Sequence, residues 1–214
     1  MDTLPEFEDH LPPAQKAIFR GLSSPLEVQT YLDHLTYIAE ELDRSPLRVM
    51  TDKQAHCLDG GLFAALALWQ IGFRPLVLDL VPAPGSDDDH VLAVFRVDGR
   101  WGAIAKSNFV NLRYREPVYL TLRELAMSYF EHYHNLQREK TLRAYTRPLN
   151  LASFKHADWM WSEEGVKIVT RRLYSFKPIP LISNESAAQL SLVDERSFKG
   201  GTYGTDFDWV YGNR

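Results

Sequence analysis

From Leu58 to Trp69 nearly every residue is apolar or glycine, and no polar stripe recurs at helical spacing. A helix with that pattern has no face to give to water, so the fold must enclose it on all sides. The chain's single cysteine, Cys57, stands at its start. Thr51, Asp52, Lys53 and Gln54 just before it are polar and supply the turn and cap from which such a helix begins. A thiol in the first turn lies near backbone N–H groups that have no helical partner and near the positive end of the helix dipole. Both favour the thiolate, and the same N–H groups can receive an oxyanion. Gly60 and Gly61 are poor helix formers, and their use is to let another backbone or a ligand come close beside the cysteine. A lone cysteine against an apolar helix is also commonly just a small buried hydrophobe, so its role depends on what the rest of the chain brings to it.

The chain has 214 residues, 45% hydrophobic and 24% charged, an ordinary soluble globular composition that suits one domain with a sizeable core, or one domain plus a structured extension. Lys+Arg 24 against Asp+Glu 28 gives a net charge of −4, and there is no basic block to suggest a nucleic-acid partner. One cysteine forms no internal disulfide, the N-terminal MDTLPEFEDHLPP lacks a secretory pattern, and no run reaches the ~18 apolar residues of a membrane span. A cytoplasmic protein with no membrane partner is the expectation; oligomeric state is open.

Ser24-Pro25-Leu26-Glu27 opens a helix with a serine cap, proline at the first position and glutamate three residues on. Leu32, Leu35, Ile38, Ala39 and Leu42 extend it at three-and-four spacing up to Ser45-Pro46. After the central helix, Ile71-Gly72 is a stop and Pro75 to Val81 a short apolar strand. The loop PAPGSDDD follows, then an alternating strand from His90 to Val97, Asp98-Gly99, and a strand from Arg100 to Lys106, which together predict a hairpin. Thr121 with Glu124 opens another helix within Pro117 to Asn135. Leu149 to Trp161 is irregular, and Val166 to Phe176 alternates as a strand would. The last thirty or so residues, with Gly200, Gly201, Gly204 and Gly212 among aromatics, read as a surface-wrapping tail. Helices first and strands later favour α+β over a doubly wound sheet.

Acyl transfer by a thiol needs a base, and the base needs a group that holds its working tautomer. Among the seven histidines, His90 begins a strand directly after the acidic loop. His56 adjoins Cys57 but diverges from it in a first turn, and His132 and His134, two apart on a helix, make a poor metal pair. The segments SPLEVQTYLDHLTYIAEE, AHCLDGGLFAALALWQIGFRPLVL and HVLAVFRVDGRWGAI together resemble the transglutaminase-like branch of papain-type cysteine enzymes, over roughly residues 24–108. The resemblance implies an α+β fold in which a central buried helix with an N-terminal cysteine packs on an antiparallel β-sheet. It implies one transglutaminase-like domain over 1–214, with a core at about 24–135 and an extension over 138–214. Cys57 would be the nucleophile and His90 the base, with no cofactor and no metal needed, although some members bind calcium.

The family's aspartate would fall at Ala105. A two-residue turn pairs Val97 with Arg100 and sets His90 opposite Ser107, whereas a bulge at Gly102 would bring Asn108 opposite instead. Asn108 is the preferred orienting residue, as in a Cys-His-Asn arrangement, with Ser107 the alternative. Gln54 is a candidate oxyanion donor, or a solvent-facing cap. Asp87, Asp88 and Asp89 either favour a protonated His90 or form a solvated loop. Lys106 is either a substrate-binding charge or a strand-edge residue. The expected activity is cleavage or exchange of an amide or ester bond in a peptide, protein or small amide through a thioester. The alternatives are a catalytically silent binding module that engages a partner through its aromatic C-terminal half, or acyl transfer of the arylamine acetyltransferase kind.

Overall fold

The computed structural model describes residues 3–213. The elements run α1 (Thr3–Asp9), α2 (Pro13–Gly21), α3 (Pro25–Asp33), β1 (Thr36–Tyr37), α4 (Pro46–Asp52), β2 (Gln54–Ala55), α5 (Cys57–Gln70), β3 (Leu76–Pro82), β4 (His90–Val97), β5 (Arg100–Ile104), β6 (Arg115–Tyr119), α6 (Leu122–Met127), β7 (Leu142–Tyr145), β8 (Leu149–Asn150), α7 (Glu163–Tyr174), β9 (Ile179–Pro180), α8 (Asn184–Ala187) and α9 (Glu195–Gly201). A seven-stranded sheet has the order β6-β5-β4-β3-β7-β9, with β8 also on β3, and its pairings are antiparallel. The fold is α+β, with the buried helix α5 packed extensively on β3 and β4.

Both faces of the sheet are covered, which is why β3 is a near-continuous apolar run. Val77, Val91, Ala93, Phe95 and Ile104 join α5 and the N-terminal helices in one core. Leu76, Leu78, Leu80, Leu92, Val94 and Ala103 join Leu125, Tyr129 and Tyr133 in a second. The two glycines of α5 are what let the helix lie so close to the strands. A Cβ at Gly60 would stand 2.3 Å from Lys106 Cβ, and one at Gly61 would stand 2.9 Å from Val91 Cγ1.

The Asp98-Gly99 turn is as expected, with φ of 48° and 78° at its two positions, the paired left-handed conformation a tight hairpin needs. The β4–β5 register is unbroken from Val97↔Arg100 to Ala93↔Ile104, so the expected bulge at Gly102 does not occur there. The irregularity lies on the other edge of β5, against β6 between Trp101 and Ala103. Gly102 is required because a Cβ would stand 2.6 Å from Phe95 Cζ and 2.9 Å from the Arg115 carbonyl.

Three local expectations are corrected. The helix opened by Ser24 stops at Asp33, because Thr36-Tyr37 leaves it to pair in parallel with Gln54-Ala55. Lys106 Nζ closes the end of that helix by donating to the Leu32 and Leu35 carbonyls at 2.8 and 2.5 Å, so Lys106 is a buried cap and neither a substrate charge nor an edge residue. Val166 to Phe176 is no strand. Ser162 caps α7, and Val166, Val169 and Leu173 recur at helical spacing to form its buried stripe.

Candidate active site

The first turn of α5 is capped by His56 in place of the polar run before it. Leu58 N–H donates to His56 Nδ1 at 3.2 Å, and His56 N–H donates to Asp59 Oδ2 at 3.2 Å, a reciprocal capping box. With Nδ1 accepting, the ring proton sits on Nε2, which turns to Asp59 Oδ1 at 3.2 Å and Asp43 Oδ1 at 3.6 Å. Asp59 is fully buried, also takes the Arg44 N–H at 2.7 Å, and is pushed up to about 7 by burial against the pull of those donors. Asp43, His56 and Asp59 each bring one ligand-type atom within 4.8 Å of the others. His56 and Asp59 already hold the helix start in place through the capping bonds, with Asp43 beside the His56 ring.

The cap leaves Cys57 facing the end of β4. Its Sγ donates to the Asp89 carbonyl at 3.6 Å, and the Val91 N–H is directed at the sulfur. Burial first, then the charges of Asp89, Asp79 and Asp88, raise the thiol well above its ordinary value, with the Val91 N–H acting the other way. The expectation that the helix start favours the thiolate is therefore corrected: desolvation and neighbouring carboxylates outweigh it.

His90 is 5% exposed and bonds through Nε2 to the Leu112 carbonyl at 2.7 Å. A carbonyl only accepts, so Nε2 carries the proton and Nδ1 keeps its lone pair. Burial, aided by the Arg115 charge, pushes His90 down to about 4, so the ring is neutral. Its edge meets Tyr133 with ring centroids 6.3 Å apart, and the Tyr133 hydroxyl donates to the Asp88 carbonyl at 2.6 Å. Cys57, His90, Tyr133 and Ser107 line one cavity together with Trp209 and Tyr211.

The structure brings Cys57, His90, Ser107 and Asn108 to this common cavity, but Ser107, Asn108 and Gln54 each have hydrogen-bond partners other than the His90 ring. Asn108 lines its rim, but its amide is bound at both ends to the Asp206 backbone: Nδ2 donates to the carbonyl at 2.7 Å and Oδ1 receives the N–H at 3.0 Å. The Leu112 carbonyl is what holds the His90 ring, a backbone group with no side-chain signature in the sequence. Ser107 accepts the Phe109 N–H at 3.0 Å. Gln54 Oε1 accepts from Arg44 Nη2 at 3.2 Å, in a cluster where Arg44 also pairs with Glu40 and Asp52.

The acidic loop is not simply solvated. Asp87 accepts from the Thr141 hydroxyl at 2.8 Å and is pushed up to about 6 by burial. Asp89 meets the carboxyl of Asp79 from β3 and the hydroxyl of Tyr174. Burial, then the Asp89 charge, raises Asp79 far above the carboxylate range, which favours one proton between the two carboxyls. Asp79 was readable as an oddity, the one charge inside PLVLDLV. Tyr174 was not, because it ends a segment whose type the sequence obscured. No protein-family model matches the chain, and no curated protein matches it.

Proposed function

We propose that the protein is a cysteine-dependent acyl-transfer enzyme, transglutaminase-like or papain-like in kind, with Cys57 as nucleophile and His90 as base. The observation that carries this reading is that Cys57, in the first turn of a buried helix, opens onto the same cavity as a neutral imidazole whose Nε2–H is fixed by Leu112. In the reaction, His90 Nδ1 takes the Sγ proton as sulfur attacks the carbonyl carbon of an amide or ester. The backbone N–H of Cys57 faces the developing oxyanion. The C–N or C–O bond then breaks, the leaving group takes the proton back from the imidazolium, and a thioester remains. Water or an amine attacks the thioester, again giving its proton to His90, and the thiol is restored on release of acid or new amide. Peptides, proteins and small amides are the substrate class.

One observation favours a second reading, a catalytically silent module of the same kind: the thiol proton rests on the Asp89 carbonyl and the thiol is raised. Incubation with p-nitrophenyl acetate separates the two. An acetyl adduct on Cys57 by mass spectrometry, formed with a burst of nitrophenol and lost in His90→Ala, is expected of the enzyme. Absence of the adduct in the parent chain, or equal acylation in His90→Ala, leaves the silent reading.

A further inference from the structure

The cavities that contain Cys57 are lined by Glu40, Asp43, Asp87, Asp88 and Asp89, and by no lysine or arginine among the described residues. Beyond the wall made by Asp89 and Tyr174 lies an adjoining cavity, lined also by Asp79, Thr146, Val81, Phe176 and Pro178. Asp79, 4% exposed, receives the His90 N–H, yet its Oδ1 is buried and, the Asp89 carboxyl apart, meets no hydrogen-bond donor among the described residues. It faces the Asp89 carboxyl, and two carboxyls in contact satisfy one another only with a proton or a cation between them. Arg147 and Arg172 stack on Phe176 at 4.2 and 5.0 Å but do not line this cavity.

We propose that Asp79, Asp89 and Tyr174 form a subsite for a cationic alkyl group, a guanidinium or ammonium on an apolar stem, carried by the ligand that Cys57 acts on. The carboxyls and the tyrosine hydroxyl meet the charge, while Val81, Phe176 and Pro178 cover the stem. A cation seated there replaces the shared proton. It also offsets the negative field that holds the thiol in its protonated form, so the charged ligand itself eases ionisation of Cys57. The inference deepens the acyl-transfer reading, but its test measures binding without turnover, so the two fail separately.

Isothermal titration of the intact chain with butylguanidine, against its uncharged counterpart butylurea, tests the subsite. Saturable binding of butylguanidine at least tenfold tighter than butylurea is expected, with tenfold weakening in Asp89→Asn and several-fold weakening in Tyr174→Phe. The surface-accessible ring of Tyr174 makes the latter variant safe for folding should Asp89→Asn misfold. Binding retained in Cys57→Ala supports a subsite distinct from the thiol. Equal affinities for the two probes, no saturable binding of butylguanidine, affinity unchanged in both variants, or loss of binding in Cys57→Ala would overturn the proposal.

Discussion

At the scale of residues, the proposed chemistry turns on a thiol and an imidazole that are both neutral at rest. Because burial and the Asp89, Asp79 and Asp88 charges raise Cys57, its alkylation by iodoacetamide should rise with pH through an inflection above the ~8.5 of a free cysteine. Asp89→Asn should bring that inflection down; an inflection below the free value in the parent chain would contradict the electrostatics described. His90 makes the opposite demand. It takes its proton near 6.5 when unfolded and only near about 4 when folded. Between those values the unfolded chain binds more protons, so the stability it contributes falls as pH drops through the window, by about 3 kcal/mol in all. Buried carboxyls such as Asp59, raised on folding, slope the other way, so the measurement must be a difference. The unfolding free energy of the parent chain relative to His90→Gln should decline by that amount from pH 7 to pH 4, and a flat difference would mean the ring is not buried neutral.

At the scale of elements, the helix–sheet contact is set by what is missing from α5. Gly60→Ala places a methyl 2.3 Å from Lys106 Cβ, and the overpacking should cost about 1–3 kcal/mol even after the gain in helix propensity. Gly61→Ala, at 2.9 Å from the end of Val91, should cost less, and urea unfolding of the two variants orders them. Gln29 acts as a strand that is not there: its amide receives the Ala105 N–H at 3.1 Å and donates to the Ala105 carbonyl at 3.0 Å, both buried. Gln29→Ala should cost about 2–4 kcal/mol by leaving that peptide unmet. Elements specified by local signals were legible: the all-apolar helix, the Asp-Gly hairpin and the Thr121 cap all depend on neighbours in sequence. Elements decided by distant partners were not. The Ser24 helix gives way because Thr36-Tyr37 finds Gln54-Ala55, and α7 is misread because Thr170, Arg171 and Arg172 mask a stripe visible only when Val166, Val169 and Leu173 are read together. In the candidate site, Cys57 and His90 stand out by type and position, whereas the Leu112 carbonyl that holds the ring belongs to a 3-10 turn at Val110–Leu112 that no residue type marks.

At the scale of the whole molecule, two cores share one sheet, and the cleft opens where the sheet's end meets the start of α5. The C-terminal residues complete it. Beyond the paired bonds from Asn108 to Asp206, Thr205 donates to the Asn108 carbonyl at 3.0 Å, and Trp209 and Tyr211 then lie along the cavity that holds the thiol. Asn108→Ala should therefore raise the alkylation rate of Cys57 several-fold while barely moving the melting temperature. If acyl transfer fell instead with access unchanged, Asn108 would be acting through His90. This arrangement also sets a clock. The cavity draws on Tyr37, Cys57, His90, Tyr133 and Trp209, contacts spread over most of the chain's length, and such long-range closures come late in folding. A refolding molecule should therefore regain its helices and both cores before this cavity closes around Cys57, with the fluorescence of Trp209 settling last, so that the thiol acquires its native environment only once nearly all of the chain has found its place.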